Sequence, residues 1–299
     1  GYDEQTTIGS LAGSSTLCIL LQPSVIMIVY GVAADVSITR LFIAGVLPGA
    51  MLMALFMGYL AIWSMLNPSK VPPRDERVPI MRRIWETRKL FPIVALMIAV
   101  IGSIYMGIAT ATEAAAVGVV GALLIALLTG SLNRKSFIDS VLGATRTSVM
   151  VSFILAGAAF LSTAMGFTGI PRELAAWVGT LGLDKFELLL ALTLLFIVLG
   201  CFLDGISIVV LTAAVIMPIT QQAGIDPIWF GIFIVVVIEM SQITPPVGIN
   251  LFILQSMTGR NIWEVAKAAF PFFMLLVVAT ILLIVFPEIA TWLPDTIRQ

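Results

Sequence analysis

The stretch Ile243–Asn250, "ITPPVGIN", interrupts one of the most apolar parts of the chain. It is preceded by "IWFGIFIVVVIEMSQ" and followed by "LFILQSMTG", and both flanks have the composition of a membrane helix. Proline lacks an amide proton and clashes with the preceding helical turn, so Pro245 and Pro246 break the helix. The sequence therefore predicts two half-helices that meet inside an apolar segment.

The composition identifies the solvent in which the chain folds. Of its 299 residues, 60% are hydrophobic and 11% are charged, whereas a soluble domain carries about 25% charged residues. Several segments approach the ~20 apolar residues that cross a bilayer as a helix. Histidine is absent, and no nucleotide-binding loop, metal-ligand cluster or nucleophile motif occurs. We predict an all-α membrane protein that is no enzyme and needs no cofactor or nucleic acid.

One long polar connection, residues 67–89, is rich in arginine and lysine. The positive-inside rule predicts that it lies in the cytoplasm. Its second half, Val78–Lys89, has the amphipathic spacing of a helix lying in the membrane interface. A plain basic linker is the alternative.

Two proline pairs indicate an internal repeat. Pro23 lies 25 residues before Pro48, and Pro246 lies 25 residues before Pro271. Each first proline interrupts an apolar helix, and each second proline sits inside the next one. The loop charges predict that the two units cross the membrane in opposite directions. Inverted repeats with broken helices are typical of secondary transporters, and a chance coincidence of spacings is the alternative.

Residues 186–222 form two short apolar segments joined by "CFLDGI". Each segment has about 15 residues, or roughly 22 Å of helix, less than the ~30 Å hydrocarbon core. We predict a re-entrant hairpin from the outside with Asp204, Gly205 and Ser207 at its tip. A carboxylate at such depth needs a cavity, an ion or a partner. Two short spans with a tight loop are the alternative.

The break at Pro245 and Pro246 frees backbone carbonyls that lipid cannot satisfy. A sodium ion takes oxygen ligands of this kind, and the half-helix starting near Val247 directs its positive end at the break, which suits an anionic substrate. A packed proline kink is the alternative. Glu239, one turn earlier, either joins the site or pairs with Arg146. The side chains and the glycine that serve the site are Ser241, Thr244, Gly248 and Asn250. Elsewhere, we predict that Glu113 caps a helix with Thr110 or Thr112.

The chain resembles the large membrane subunit of TRAP (tripartite ATP-independent periplasmic) transporters over essentially its whole length. The motifs that carry the resemblance occur in the family's order: "GYDEQTTIGSLAGSSTLCILLQPSVIMIVYG", "RLFIAGVLPG", "ATATEAAAVGVV", "GCFLDGISIVV", "ITPPVGINLFIL" and "AAFPFF".

The resemblance implies an elevator-type, sodium-driven transporter in the lipid bilayer of the bacterial inner membrane. Its implied partners are a small Q-type membrane subunit and a periplasmic binding protein. The implied substrate is an organic anion such as a sialic acid or a C4-dicarboxylate. A symporter that needs no binding protein and an ion channel are the alternatives.

The resemblance also implies the binding residues. The family usually has Pro-Pro-Ser where this chain has Gln22, Pro23 and Ser24. A glycine- and serine-rich hairpin is expected before Gly1, so the resemblance implies an N-terminally incomplete chain. The implied sodium ligands are Gly200, Asp204, Gly205, Ser207, Thr244, Pro245, Val247 and Gly248, with Gln22 and Ser24 forming a second ion site at the break around Pro23. The implied substrate residues are Ser241, Asn250, Pro246 and Glu239.

These predictions divide the chain into transport and scaffold regions. Residues 1–40 end the first transport region, and residues 148–260 form the second, with a hairpin at 186–222 and a broken helix at 227–258. The scaffold comprises helix 41–66, the cytoplasmic connecting helix 67–89, helices 90–147 and the terminal helix with its periplasmic tail, 261–299.

Overall fold

The computed structural model describes residues 3–20, 24–71, 81–82, 87–88, 90–246 and 248–297. Within these ranges the chain is helical and contains no strand. Its α-helices are α1 (Glu4–Leu20), α2 (Val25–Ala33), α3 (Ile38–Leu66), α4 (Phe91–Tyr105), α5 (Ala111–Leu128), α6 (Arg134–Thr168), α7 (Ile170–Thr180), α8 (Lys185–Gly200), α9 (Gly205–Gln222), α10 (Pro227–Gln242), α11 (Ile249–Thr258), α12 (Ile262–Val285) and α13 (Glu288–Thr296).

Five helices in the described part of the chain are long and apolar enough to cross a membrane: α3, α5, α6, α9 and α12. A helix that spans the ~30 Å hydrocarbon core pairs its backbone amides and carbonyls with one another, because lipid offers them no hydrogen-bond partners. The all-α class and a multi-pass membrane protein are thereby confirmed.

The chain divides into two compact units, a larger one of residues 1–72 and 154–298 and a smaller one of residues 73–153, and one of the boundaries falls within α6. In the smaller unit, α4 packs against α5, where the absence of a side chain at Gly121 makes room for Leu96. Thr110 and Glu113 form a reciprocal capping box at the start of α5, as predicted. The predicted division at 147/148 falls inside the continuous α6. Most of the predicted connecting helix 67–89 lies outside the described residues.

Helix α10 forms the centre of the larger unit, and every residue from Ile228 to Gln242 is buried. The Tyr30 hydroxyl of α2 donates a hydrogen bond to the Pro227 carbonyl at 2.7 Å. The missing side chain at Gly231 lets the Tyr30 ring approach closely. In a bilayer such close van der Waals packing, rather than exclusion of water, holds helices together. Helices α1, α2, α3, α8, α9, α11, α12 and α13 all contact α10.

The order α1–α2–α3 recurs as α10–α11–α12. Both third helices contain an internal proline, Pro48 and Pro271. The first helix of each set, α1 or α10, packs on both third helices, α3 and α12. The predicted repeat therefore reappears in the helix pattern. Equivalent helices begin at a nearly constant offset, at Glu4 and Pro227, at Val25 and Ile249, and at Ile38 and Ile262.

Helices α7 and α13 were not expected from the sequence. Both are short and amphipathic, with 11 and 9 residues, and so lack the long apolar run by which a membrane span is predicted. Helix α13 packs on α3, and an ion pair of 3.0 Å joins Arg40 to Asp295. Residues 148–168, where the second transport region was predicted to begin, are the second half of the 35-residue α6. The first half of α6 carries charged residues, so a search for apolar runs passes over it.

Candidate functional site

Helices α8 and α9 are joined by the four residues Cys201–Asp204, which we call the tip. Asp204 is the N-cap of α9, and its carboxylate accepts hydrogen bonds from the amides of Ile206 and Ser207 at 3.1 and 3.3 Å. The Ser207 hydroxyl also donates to it. A carboxylate at a helix N-terminus interacts favourably with the helix dipole. Capping thus supplies hydrogen-bond partners for this partly buried carboxylate, and an ion-binding role of Asp204 stays a prediction.

The tip packs directly on the end of α10. A Cβ atom on Gly200 would overlap the hydroxyl of Ser241, which is buried and donates to the Ile238 carbonyl at 2.6 Å. The thiol of Cys201 lies 3.4 Å from the carbonyl oxygen of Pro245. The end of α8 and the tip therefore contact the interrupted segment that the sequence marks out.

The start of α9 also contacts the start of α2. A Cβ atom on Gly205 would overlap Ile26 and would lie 2.9 Å from Ile238. Ser24 caps α2, its hydroxyl accepting a hydrogen bond from the Met27 amide at 3.4 Å, and it is buried. The tip and its flanking residues therefore contact both interrupted helices. Gly205 packs near the first break, which lies between α1 and α2, and Cys201 packs against the second break, which lies between α10 and α11.

The second break is built around Gly248. Its φ of +44° belongs to the left-handed region that favours glycine. A Cβ atom here would lie 2.7 Å from the carbonyl oxygen of Thr244 and 2.9 Å from that of Gln242. The Thr244 hydroxyl donates to the Met240 carbonyl at 2.7 Å and keeps lone pairs free. Two carbonyl oxygens thus converge at a position where only glycine fits, and the Thr244 hydroxyl belongs to the same segment.

This set of oxygen donors suits a hard monovalent cation. Among the described residues, no group of three or more His, Cys, Asp or Glu residues could hold a metal ion. The donors at the break are instead backbone carbonyls and hydroxyls, the ligands that unwound membrane helices offer to sodium. Gln22 and Val247, two predicted ligands, lie outside the described residues.

The predicted substrate residues differ in exposure. Pro246 is exposed, Asn250 is partly buried, and Ser241 and Glu239 are buried. The side-chain nitrogen of Asn250 and both carboxyl oxygens of Glu239 have no hydrogen-bond partner within the described ranges. In this conformation the described residues therefore supply no hydrogen-bond partner for these side-chain atoms of Asn250 and Glu239.

A cavity of about 320 Å³ adjoins the break. Thr244 and Pro245 form one side, and Trp263, Lys267 and Phe270 of α12 form the other. Ligand pockets for small molecules begin at about 300 Å³ and combine apolar walls with a few polar groups. The sequence did not indicate Lys267, because it lies on another helix and well beyond the interrupted segment.

The structure brings together Gly200, Gly205, Ser241, Thr244, Pro245 and Gly248. The sequence did not indicate three further residues of the site. They contribute a thiol, a backbone carbonyl and side-chain carbons, respectively: Cys201, Gln242 and Ile26. Only the position of Cys201 within "CFLDGI" hinted at such a role. The contacts of Gln242 and Ile26 depend on tertiary packing.

A multi-pass helical chain with two interrupted helices around a helix–loop–helix tip has the architecture of a secondary-transport subunit. The family described as "Tripartite ATP-independent periplasmic transporter, DctM component" matches residues 1–289. The chain belongs to this family, which confirms the resemblance seen in its motifs. It is accordingly a transporter subunit and not an enzyme.

Relatives with assigned names cover nearly the whole chain. The C4-dicarboxylate TRAP transporter large permease protein DctM of Pseudomonas aeruginosa is 35% identical, over 99% of this chain and 69% of its own length. The ectoine TRAP transporter large permease protein TeaC of Halomonas elongata is 32% identical, over 99% and 69%. The isethionate TRAP transporter permease protein DctMQ of Oleidesulfovibrio alaskensis is 31% identical, over 97% and 45%.

Proposed function

We propose that the full-length protein imports an organic carboxylate together with sodium across the bacterial inner membrane. A periplasmic binding protein delivers the substrate, and a small membrane subunit completes the permease. Membership of the family supports both partners. The combined name DctMQ of the longer isethionate relative supports the small subunit.

The single observation that carries sodium coupling is the closure of the tip on the second break. The Gly200–Ser241 and Cys201–Pro245 contacts bring the tip to a segment where the carbonyls of Gln242 and Thr244 converge. Sodium bound there would hold the tip and the break together and satisfy carbonyls that lipid cannot. The proposed ligands of this ion include Thr244, Gly248 and the tip backbone. A second sodium ion is proposed to bind near Ser24.

The substrate carboxylate is proposed to bind at the start of α11. The first amides of this helix lack helical acceptors, and its dipole favours an anion. The unpartnered amide of Asn250 adds a donor, and Ser241 and Pro246 border the break. Lys267 lines the adjoining cavity. Three relatives are named for C4-dicarboxylates, which makes this the first substrate to test.

The proposed mechanism is an elevator. Residues 1–40 and 148–260 would carry the ion and the anion, with α8 and α9 as a re-entrant hairpin, while helices in 41–66, 90–147 and 261–299 form the scaffold. Two interrupted helices around one tip support this proposal, because inverted-repeat transporters achieve alternating access by rigid-body movement of one part of the fold against the other.

The test uses the full-length protein with its small subunit in proteoliposomes. Uptake of a labelled C4-dicarboxylate and of a labelled sialic acid is followed with and without an inward sodium gradient and with and without the binding protein. Sodium-driven uptake that requires the binding protein supports the proposal. Uptake without the binding protein supports the simpler symporter. Conductance without coupled uptake would support a channel and overturn the proposal.

A further inference from the structure

Glu239 is an acidic residue in the most buried helix of the larger unit. Its side chain is 0% exposed, and no described residue makes a hydrogen bond to either carboxyl oxygen. The backbone amide of Leu20, in the last residue of α1, faces the carboxyl without reaching hydrogen-bonding geometry. Glu239 thus lies in the last turn of α10, just before the second break, and faces the end of α1, where the first break begins.

No charge compensates Glu239 within the described ranges. On α10 itself, the other charged residue near the helix is Asp226, at its N-cap. Helices α2 and α11 carry no charged residue, and no other charge in the described part of the chain forms an ion pair with Glu239. The charged residues within or capping the remaining helices that pack against α10 are Asp3, Glu4, Arg40, Asp184, Lys185, Glu187, Asp204, Glu264, Lys267, Glu288 and Asp295.

The internal repeat provides a comparison for this position. When Pro23 is aligned with Pro246, the residue of α1 that corresponds to Glu239 is Thr16, which is also fully buried. Its hydroxyl donates to the Gly13 carbonyl at 2.8 Å, so the first repeat satisfies its polar group locally. The same packing position therefore does not require an acid. The carboxyl of Glu239 needs another reason.

An unpaired carboxylate in a dry interior is so costly that the group binds a proton instead. A buried carboxylic acid still has an O–H group that requires an acceptor, and the described residues supply none in this conformation. Ionisable residues at such positions in membrane proteins are typical of ion pathways and proton relays. In this conformation the Glu239 carboxyl is fully buried, and its predicted role as a substrate ligand stays a prediction.

We propose that Glu239 is a proton-binding site whose occupancy is linked to the transport cycle. In the described conformation its O–H bond is intact. When the two breaks open to water, the proton leaves to a water molecule and the carboxylate remains, and closure takes a proton back. This proposal rests on the proposed transport function.

Infrared spectroscopy of the full-length protein in proteoliposomes tests proton binding without requiring a substrate. The carbonyl stretch of a protonated carboxylic acid is followed as pH rises, in the wild type, in Glu239→Gln and in Glu239→Asp. We expect a band that disappears at alkaline pH in the wild type, is absent from Glu239→Gln and is shifted in frequency in Glu239→Asp. Glu187→Gln, at an exposed capping carboxylate, should match the wild type. Identical spectra in the wild type and Glu239→Gln would overturn the proposal.

Uptake tests the link to transport. Across the pH range in which the band disappears, wild-type sodium-driven uptake should change severalfold, and that of Glu239→Gln should stay flat. Parallel pH profiles would overturn the link. If no substrate is transported, the infrared titration still decides whether Glu239 binds a proton, so the two failures are distinguishable. If Glu239→Gln fails to fold, Glu239→Asp still reports the frequency shift.

Discussion

The Cys201 thiol lies 3.4 Å from the carbonyl oxygen of Pro245 and can donate a hydrogen bond to it. These residues are 44 positions apart, one in the tip between two helices and one in the interruption of a third. A freed carbonyl inside a membrane protein must be satisfied by protein, water or an ion. The contact fixes where the tip meets the break.

Gly200→Ala should disrupt the closure of the tip, because the added methyl group overlaps the Ser241 hydroxyl. Overpacking of a tight interior costs about 1–3 kcal/mol. We expect a lower unfolding temperature in detergent and at least a tenfold loss of sodium-driven uptake. Gly157→Ala is the matched control, since that helical glycine has no neighbour within 4 Å. Equal effects of the two substitutions would contradict the close contact.

Gly248→Ala should impair the break itself. The position combines a φ of +44° with carbonyl oxygens at 2.7 and 2.9 Å from a Cβ atom. A left-handed backbone alone costs a non-glycine residue about 1–2 kcal/mol. Gly259→Ala isolates that cost, because Gly259 has a φ of +68° and open space around it. Isothermal titration with sodium should show lost or much weaker binding in Gly248→Ala only.

Thr244→Ala should weaken sodium dependence without unfolding the protein. If the hydroxyl is one ligand of the ion, its loss costs about 1–1.5 kcal/mol, or up to about tenfold in sodium affinity. Thr212→Ala is the control, because its hydroxyl makes the same bond to a carbonyl four residues earlier, at 2.7 Å. The sodium concentration for half-maximal uptake is measured for both. A shift of equal size in both variants would reject Thr244 as a ligand.

The fold could be predicted from local chemistry to a large extent. The interruption at Pro245 and Pro246 and the capping box of Thr110 and Glu113 follow from residue types and short spacings alone. Helices α7 and α13 could not be found in the same way, because 11 and 9 residues of amphipathic sequence carry no membrane signal. The continuity of α6 was missed because its first half is polar.

The candidate site was predictable in its parts but not in its contacts. Gly248 was identified because a glycine beside two prolines indicates close backbone approach. That Gly200 packs on Ser241, or that Lys267 lines a cavity next to Thr244, depends on helices distant in sequence. The capping role of Asp204 was visible in its spacing to Ser207. The position of Asp204 in an apolar segment favoured the prediction of ion binding instead.

Lys267→Gln should weaken substrate binding. Its side chain lines the cavity of about 320 Å³ beside Thr244 and Pro245. A hydrogen bond to a charged group contributes about 1.5–3 kcal/mol, so affinity for a C4-dicarboxylate should fall about tenfold or more. Lys185→Gln, at the start of α8, is the control. An unchanged half-saturating substrate concentration in Lys267→Gln would place the carboxylate elsewhere.

Asp204→Asn separates the capping role of this residue from ion binding. Asparagine caps helices about as well as aspartate, whereas a cap lost to alanine costs about 1 kcal/mol. The unfolding temperature of Asp204→Asn should therefore stay close to that of the wild type. If the charge of Asp204 also stabilises a sodium ion at the tip, the sodium requirement of uptake should rise severalfold.

Asp184→Asn makes the same change at the N-cap of α8, where the carboxylate accepts from the Glu187 amide at 2.8 Å, and it should leave the sodium requirement unchanged. The comparison is decisive because both carboxylates cap a helix and only one lies at the tip. A normal sodium requirement in Asp204→Asn would reduce this residue to a cap. The ion would then depend on the carbonyls and hydroxyls of the break alone.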